Sequence, residues 1–229
     1  MKNKILAIIP ARGGSKRIPR KNIKSFLGRE IITYPIDAAA ESNIFQTIIV
    51  STDCDEIKSI AIAAGAEVPF LRSEVNSDDF ATTFDVIREV LSKMEDKYDY
   101  VCCIYPTSVF VTPEVLVDAY SKLEQDKRAT SIASVLQYSH PIQRSLTINA
   151  EYLVSNHPES YNSRSQDLDA NFHDAGQFYI CKTDAVLEEE RLITTHCIPY
   201  ILQERHAQDI DTLEDWSIAE LKYQLIVRK

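Results

Sequence analysis

The chain contains few glycines, which limits the nucleotide-binding signatures that it can carry. Only five of its 229 residues are glycine, and two of these are the neighbours Gly13 and Gly14. Neither glycine-rich phosphate signature with known mechanics, GxxxxGK[ST] or GxGxxG, occurs in the sequence. The missing GxGxxG pattern argues against a nicotinamide dehydrogenase, in which those glycines bring the backbone close to the cofactor pyrophosphate.

Long apolar runs and paired cysteines are also missing. The apolar stretch after Lys4 ends within six residues, at Pro10, which is too short for a signal-peptide core or a membrane span. The five cysteines include no CxxC pair, and an odd number without a disulfide framework indicates reduced thiols. We therefore expect a cytoplasmic protein with no membrane partner.

The chain has no overall excess of positive charge. The chain has 25 Lys and Arg against 34 Asp and Glu, a formal net charge of −9, which argues against a nucleic-acid partner. The distribution is uneven, because nine of the basic residues lie in the first 29 positions and no acidic residue precedes Glu30. A locally basic pocket in an acidic protein is suited to selecting small anions.

That basic segment directly follows a predicted buried strand. The branched apolar residues before Pro10 suit a strand that is covered on both faces of a parallel sheet. Gly13 and Gly14 then allow positive φ and expose backbone N–H groups, which form a concavity for anions. Six basic side chains surround the turn: Arg12, Lys16, Arg17, Arg20, Lys21 and Lys24. The segment therefore predicts a phosphate-binding site.

Strand and helix patterns alternate along the rest of the chain. This order predicts one α/β domain over residues 1–229, with a mostly parallel sheet and helices on both faces. Asp53 is predicted to cap one helix that Gly65 ends, and Thr112 to cap another. The predicted strands are 47–52, 100–105, 131–137, 177–182 and 197–202, and the predicted helices are 31–42, 55–66, 82 or 83 to 94, 113–123 and 212–225. Ligands of such sheets bind at the carboxyl ends of the strands, so the turns ARGGSKR, STD and YPTS should line one crevice.

Residues 138–176 interrupt this alternation. Short stretches of alternating apolar and polar residues, rich in turn formers, replace the long helices. More than thirty residues of loop without a role would be unusual in a compact domain. We interpret the segment as an inserted β-rich arm that serves dimerisation or closes the site, with a long structured surface loop as the alternative.

A second chemical motif, QDIDTLEDW, lies near the end of the sequence. Asp209 and Asp211 are two residues apart, so an extended backbone points both carboxylates to the same face. Mg²⁺ is typically held by one or two carboxylates together with substrate phosphates. Thr212 and Asp215 have the spacing of a capping pair, so the aspartates could instead simply mark a helix start.

The ordered motifs PARGGSKRIPRKNI, STD followed by DEI, YPTS and QDIDTLEDW resemble those of the CMP-sugar synthetases that activate nonulosonic acids, the sialic acid cytidylyltransferases and their relatives. The resemblance covers nearly the whole chain. It implies a Rossmann-like nucleotide-diphospho-sugar transferase fold. It also implies coupling of CTP to an acidic nine-carbon sugar with Mg²⁺ as cofactor and release of pyrophosphate, in a homodimer.

Two segments depart from the sialic acid branch of this family. YPTSVFV stands where that branch has QPTSPLR, and HDAGQFY at 173–179 stands where it has NGAIY. HDAG and RSQDL at 164–168 are most similar to the branch that activates pseudaminic acid for surface-glycan or flagellin modification. The alternatives are N-acetylneuraminate, legionaminate or KDO as the sugar, and a nucleotide-binding regulatory protein without turnover.

The resemblance also implies a role for individual residues. Arg12, Lys21 and Asp211 match catalytic positions, and Asp209 and Asp211 match the metal ligands. Tyr105 replaces the glutamine that contacts the cytosine. His173 beside Asp174 is a candidate His–Asp pair that could accept the proton of the sugar hydroxyl or hydrogen-bond to the sugar. The nucleotide site comprises Ala11, Arg12, Gly13, Ser15, Lys21, Asn22, Arg72, Thr82, Thr83, Tyr105 and Thr107, and the sugar site comprises Arg164, Gln166, His173 and Asp174.

Overall fold

The computed structural model describes residues 3–227. Within this range the strands are β1 (Ile5–Pro10), β2 (Ser25–Phe26), β3 (Arg29–Glu30), β4 (Thr47–Ser51), β5 (Tyr100–Ile104), β6 (Ser131–Gln137), β7 (Leu146–Asn149), β8 (Tyr152–Ser155), β9 (Phe172–Lys182) and β10 (Cys197–Ile201). The α-helices are α1 (Thr33–Ser42), α2 (Asp55–Ala63), α3 (Thr83–Lys93), α4 (Pro113–Gln125), α5 (Thr183–Glu189) and α6 (Leu213–Val227).

Six strands form the central sheet in the order β10-β6-β9-β5-β1-β4. β1 pairs in parallel with β4 and β5, and β10 pairs in parallel with β6. β9 is antiparallel to both of its neighbours, because the chain leaves β6 through the predicted arm and returns between β5 and β6. The predicted α/β class with a mostly parallel sheet is confirmed.

Continuous apolar runs explain why the middle of the sheet is buried on both faces. In β1, Leu6 and Ile8 pack on one side with Phe84 and Ile87 of α3, while Ile5 and Ile9 pack on the other with residues of α1 and α4. Every residue of β5 is buried. These strands bring their carboxyl ends, and the turns that follow them, to one edge of the sheet.

Most helix boundaries follow the predicted capping residues. Thr112 accepts a hydrogen bond from Val115 N with Pro113 in the first turn, and Gly65 (φ +94°) follows the end of α2. Thr82 forms a capping box with Asp85 at the start of α3. The prediction for Asp53 was wrong: Cys54 occupies the cap position of α2, and the Asp53 carboxylate instead accepts a hydrogen bond from Gly13 N at 2.7 Å.

The arm segment 138–176 contains the β7–β8 hairpin and three short 3-10 helices. Its last five residues, 172–176, form the beginning of β9 and so belong to the central sheet. The hairpin exposes large apolar side chains, among them Ile148, Tyr152 and Leu153.

The structure shows the state of the cysteines and the length and polarity of the helices. All five cysteines are free, and Cys102, Cys103 and Cys181 are buried in the sheet. Within residues 3–227, every helix is too short or too polar to cross a bilayer.

A buried carboxylate anchors the segment next to Arg72. Glu89 of α3 accepts hydrogen bonds from Ser73 N (3.0 Å) and Asn76 Nδ2 (2.7 Å), and Lys93 donates to the same carboxylate. Burial raises the pKa of Glu89, but the hydrogen bonds from Lys93, Asn76 and Ser73 together outweigh burial and lower the pKa from 4.5 to about 2.

Because the folded pKa of Glu89 lies below the unfolded one, its contribution to stability is complete above about pH 4.5 and is lost as the pH falls towards 2. We expect Glu89→Gln to lower the free energy of unfolding at pH 7 by about 2 kcal/mol. The difference from wild type should narrow below pH 4.5 in urea titrations. Glu95→Gln, at an exposed position nearby, is the control. A difference that is the same at every pH would contradict this account.

Candidate functional site

A cleft of about 300 Å³ opens where β1 and β5 end. It collects side chains from five separate segments: the basic turn, Arg72, the start of α3, the turn after β5, and Asp209. Ten predicted site residues line it: Arg12, Ser15, Lys21, Asn22, Arg72, Thr82, Thr83, Tyr105, Thr107 and Asp209. The basic turn and YPTS therefore line one crevice as predicted. The STD turn does not line it, and its Asp53 instead accepts a hydrogen bond from Gly13 N of the basic turn.

Backbone contacts hold the basic turn in place. Ala11 is fully buried and its N–H donates to Ser51 O at 2.9 Å, which extends the β1–β4 pairing by one residue. Buried Asn22 donates from Nδ2 to Arg12 O at 2.9 Å and closes the turn. A Cβ atom at Gly13 would lie 3.0 Å from Cys54 Cβ, so this position needs glycine because of the close approach of α2.

The basic turn contacts the late aspartates directly. Lys21 Nζ donates to Ile210 O at 2.6 Å and lies 3.3 Å from Asp211 Oδ1. Arg17 forms an ion pair with the other oxygen of Asp211 at 2.8 Å. Arg20 begins the short helix that carries Lys21 with a left-handed backbone (φ 57°), a conformation that is uncommon outside glycine. The basic turn and the aspartate pair therefore contact each other, as predicted.

The aspartates are set by the start of α6. Asp215 Oδ2 accepts hydrogen bonds from the backbone N–H groups of Asp211 (3.1 Å) and Thr212 (2.7 Å), and Thr212 Oγ1 accepts from Asp215 N. Between the aspartates, Ile210 is completely buried in an apolar cluster with Trp216. With the capping interaction and the buried Ile210 in place, Asp209 lines the cleft. Asp211 lies outside that lining and is joined to it through its ion pairs with Arg17 and Lys21.

The aspartate pair has the chemistry of a partial cation site. Displacement of water by the surrounding protein raises the pKa of Asp209, the charge of Asp211 raises it further, and Lys21 opposes both. No hydrogen-bond donor among residues 3–227 reaches the Asp209 carboxylate, and no third His, Cys, Asp or Glu in that range joins the pair as a metal ligand. The residues therefore fit a hard divalent cation that takes its remaining ligands from substrate oxygens and water.

The opposite wall of the cleft carries Arg72, Thr83 and Tyr105. Arg72 is buried and donates from Nε to Ser51 Oγ at 3.0 Å and from Nη2 to Ser51 O, and burial lowers its pKa. Tyr105 Oη lies 3.1 Å from Thr83 Oγ1. Tyr105 is thus tied to the start of α3, and burial raises its pKa. Thr107 is buried in the turn after β5.

The predicted sugar residues divide into two groups. Arg164 and Gln166 are exposed on the arm, outside the lining of the cleft, where Arg144 donates to Ser163 O and contacts Ser165 Oγ. In a single described chain the structure does not bring Arg164 and Gln166 to the nucleotide site.

His173 and Asp174 lie near the start of β9, and their side chains do not form the predicted His–Asp pair. His173 Nδ1 donates to the backbone oxygen of Asp174 at 2.9 Å, and its ring packs against Tyr138 at 4.9 Å. The Asp174 carboxylate instead accepts from Gly176 N at 2.8 Å and from the Tyr179 hydroxyl. Neighbours in a strand point to opposite faces, which explains why sequence adjacency misled here.

Sequence reasoning missed two acidic residues in this region. Asp79 forms ion pairs with Arg12 (3.1 Å) and Lys16, so two of the side chains predicted to bind phosphate are already paired with a carboxylate. Lys16 and Arg12 hold the pKa of Asp79 below its usual range. Asp53 holds Gly13, as described above. The acidic pair before Thr82 was the only sequence signal for Asp79, because pairing across 63 to 67 residues depends on the fold.

Comparison with known proteins gives one family. Residues 6–223 match the profile of the cytidylyltransferase family. The chain is 41% identical to the pseudaminic acid cytidylyltransferase of Campylobacter jejuni serotype O:2, over 98% of this chain and 97% of that protein. It is 32% identical to the CMP-N,N'-diacetyllegionaminic acid synthase of Legionella pneumophila, over 97% of each.

A solved structure shares the fold. The structure of CMP:2-keto-3-deoxy-manno-octonic acid synthetase complexed with CTP superposes with a TM-score of 0.71 over 99% of this chain and 100% of that one. The two are 15% identical, so this likeness concerns the fold alone.

The Asp79 ion pairs lead to a test on anion binding. Asp79→Asn should raise the affinity for inorganic tripolyphosphate about threefold or more, since the anion no longer displaces a carboxylate from Arg12 and Lys16. Calorimetry without metal measures this affinity. Asp96→Asn removes a carboxylate that pairs with Lys4 away from the cleft and should change nothing. Weaker binding by the Asp79 variant would show that Asp79 supports anion binding.

Proposed function

Because the chain belongs to the cytidylyltransferase family, we propose that it couples CTP to pseudaminic acid, forming CMP-pseudaminic acid and releasing pyrophosphate. The chain is a nucleotidyltransferase, as its family and its full-length relatives are. Its product would supply an activated sugar for surface-glycan or flagellin modification. The free cysteine thiols favour the cytoplasm as its place of action.

The single observation that supports this chemistry best is the contact between the basic turn and the aspartate pair. Arg12 and Lys21 line the same cleft as Asp209, and Lys21 also reaches Asp211. A triphosphate in this cleft would have cations on one side and a carboxylate-bound divalent ion on the other. Such an arrangement suits phosphoryl chemistry, in which positioning and charge stabilisation supply most of the rate enhancement.

The reaction requires the anomeric hydroxyl of the sugar to attack the α-phosphorus of CTP while pyrophosphate leaves on the opposite side. In our proposal Arg12 and Lys21 bind the phosphate oxygens, and Ser15 of the same turn lines the cleft beside them. Asn22 orients this turn through its bond to Arg12 O. Arg72, Thr82, Thr83, Tyr105 and Thr107 form the wall for the ribose and base.

We propose Mg²⁺ as the cofactor, held by Asp209 and Asp211. Bound there, the ion would neutralise phosphate charge and orient the triphosphate. Lys21 and Arg17 fix the position of the Asp211 carboxylate through their ion pairs. Asp209 lines the cleft, so its carboxylate is placed to bind a cation that also contacts substrate oxygens.

The choice of sugar rests on the relatives and on the segments that differ from the sialic acid branch. The similar Campylobacter protein has pseudaminic acid in its name, and the legionaminic acid synthase is less similar at the same coverage. We propose that His173 and the arm residues Arg164 and Gln166 face the sugar. The arm would supply them to the site in an assembled dimer.

Incubating the protein with CTP, Mg²⁺ and one sugar at a time, and measuring pyrophosphate, tests the proposal. The panel is pseudaminic, N-acetylneuraminic and diacetyllegionaminic acids and KDO. We expect turnover with pseudaminic acid at the highest kcat/KM. Preference for another sugar would reassign the substrate, and CTP binding without pyrophosphate from any sugar would favour a regulatory protein.

Asp211→Asn tests the cation site. We expect kcat to fall roughly a hundredfold or more, because charge stabilisation at the phosphates is lost. CTP affinity measured without Mg²⁺ should be retained or rise, because Lys21 and Arg17 lose a competing carboxylate. Glu214→Gln, an exposed acid at the start of the same helix, serves as the matched control. Undiminished turnover in the Asp211 variant would place the metal elsewhere.

We propose further that the arm joins two copies of the chain into a homodimer. In the β7–β8 hairpin the pairing of Ile148 with Leu153 puts both side chains on one face, and Leu146 lies two residues along the same face. These side chains are 51 to 72% exposed in the single chain. A contiguous apolar face of this kind marks an interaction surface.

Replacing Ile148 and Leu153 together by Asp should convert the dimer to a monomer, since two charges would be buried at the interface. Light scattering coupled to gel filtration measures the mass. Thr147→Asp places one charge on the opposite face of the hairpin and should leave the dimer intact. A monomeric wild type, or equal dissociation by the control, would contradict the role of this face.

A further inference from the structure

β9 contains a large bulge next to the cleft. Asp174 pairs with Val135 of β6, and Tyr179 pairs with Ala133, so the four residues 175–178 lie opposite Ser134 alone. Buried Ser134 stabilises this irregular backbone, because its hydroxyl accepts from Phe178 N and donates to Phe178 O, both at 3.0 Å. Bulges of this kind re-aim side chains beside functional sites.

The bulge brings together two side chains that a regular strand would separate. Five residues of extended strand span about 16 Å, and an odd separation points the two side chains to opposite faces. Here the Tyr179 hydroxyl instead donates to Asp174 Oδ2. Gly176, with φ +59°, makes the turn and donates from its N–H to Asp174 Oδ1 at 2.8 Å.

The same bulge abuts the aspartate proposed to bind metal. A Cβ atom at Gly176 would lie 3.7 Å from Asp209 Cγ, so the backbone of the bulge packs directly against that carboxylate. Gln177 is buried, and its Nε2 donates to Ala175 O at 3.0 Å and to Gln208 O at 3.3 Å. The residue before Asp209 is therefore hydrogen-bonded to the bulge.

On its other side the bulge contacts the nucleotide wall. The ring of Tyr179 packs edge-on against Tyr105 at 5.8 Å. Tyr105 N donates to Gln177 O at 3.0 Å, and Ser108 Oγ donates to the same oxygen at 2.8 Å. One irregular segment thus sets the distance between the wall at Tyr105 and the carboxylate of Asp209.

We propose that Asp174 and Tyr179 are positioning residues for Asp209, holding the β9 bulge against it, and that they do not contact the sugar or the nucleotide. The inference rests on the proposed function for the identity of the cation and the nucleotide. Both oxygens of the Asp174 carboxylate already accept hydrogen bonds from within the bulge, which supports a positioning role in place of the sugar contact expected from the sequence.

Tyr179→Phe is the sharpest test, because it removes one hydroxyl and keeps the ring that packs on Tyr105. We expect the gain in CTP affinity that Mg²⁺ confers to fall about tenfold in calorimetry, while the metal-free CTP affinity stays within about twofold. In turnover assays the Mg²⁺ concentration for half-maximal rate should rise by a similar factor, with the KM for the sugar unchanged. Tyr200→Phe in β10 is the matched control, because it removes a hydroxyl that donates to Asp118 of α4.

Variants of Asp174 separate positioning from sugar binding. Asp174→Ala should reproduce the effect of Tyr179→Phe, and Asp174→Asn should recover part of the loss, because the amide oxygen can still accept from Gly176 N. A raised KM for the sugar with normal Mg²⁺ dependence would overturn the proposal and make Asp174 a sugar ligand. Normal Mg²⁺ dependence in Tyr179→Phe would also overturn it. If wild type binds CTP with the Mg²⁺ gain but activates no sugar, the proposed function fails while calorimetry still tests the positioning role.

Discussion

The ion pairs from Arg17 and Lys21 to Asp211 are the contacts on which the site depends. They join the turn after the first strand to the start of the last helix, across 190 residues or more of sequence. The basic turn concentrates positive charge, and the charge of Asp211 raises the pKa of Asp209. Each cluster therefore offsets part of the charge of the other.

The sheet makes this meeting possible. Parallel strands β1, β4 and β5 end at one edge, so turns that are distant in sequence become neighbours. Thr82 and Thr212 then start helices with defined first turns, which leaves little freedom in where the flanking polar residues point. The bulge in β9 adds the last constraint, because it packs between Tyr105 and the carboxylate of Asp209.

Local chemistry made much of this fold predictable. β6 occupies residues 131–137 as predicted, because a branched apolar run bounded by polar residues has few alternatives. The predicted caps at Thr112 and Thr212 follow from side-chain hydrogen bonding to exposed N–H groups. The direction of β9 was not predictable, since an apolar run reads the same in a parallel or an antiparallel strand. Its bulge was also invisible, because it depends on Ser134 in another strand. The roles of Asp53 and Asp79, and the lack of a His173–Asp174 pair, likewise depend on partners that only the fold supplies.

The path of β9 has a consequence for how proteins with this architecture can diverge. The strand begins at Phe172 inside the arm and runs, through the bulge at 175–178, to Lys182 between β5 and β6. An insertion or deletion between its start and the bulge would slip the register of an interior strand and turn its side chains to the wrong face. Changes in chain length are therefore better tolerated at the hairpin tip around Ala150, whereas the base of the arm diverges by substitution.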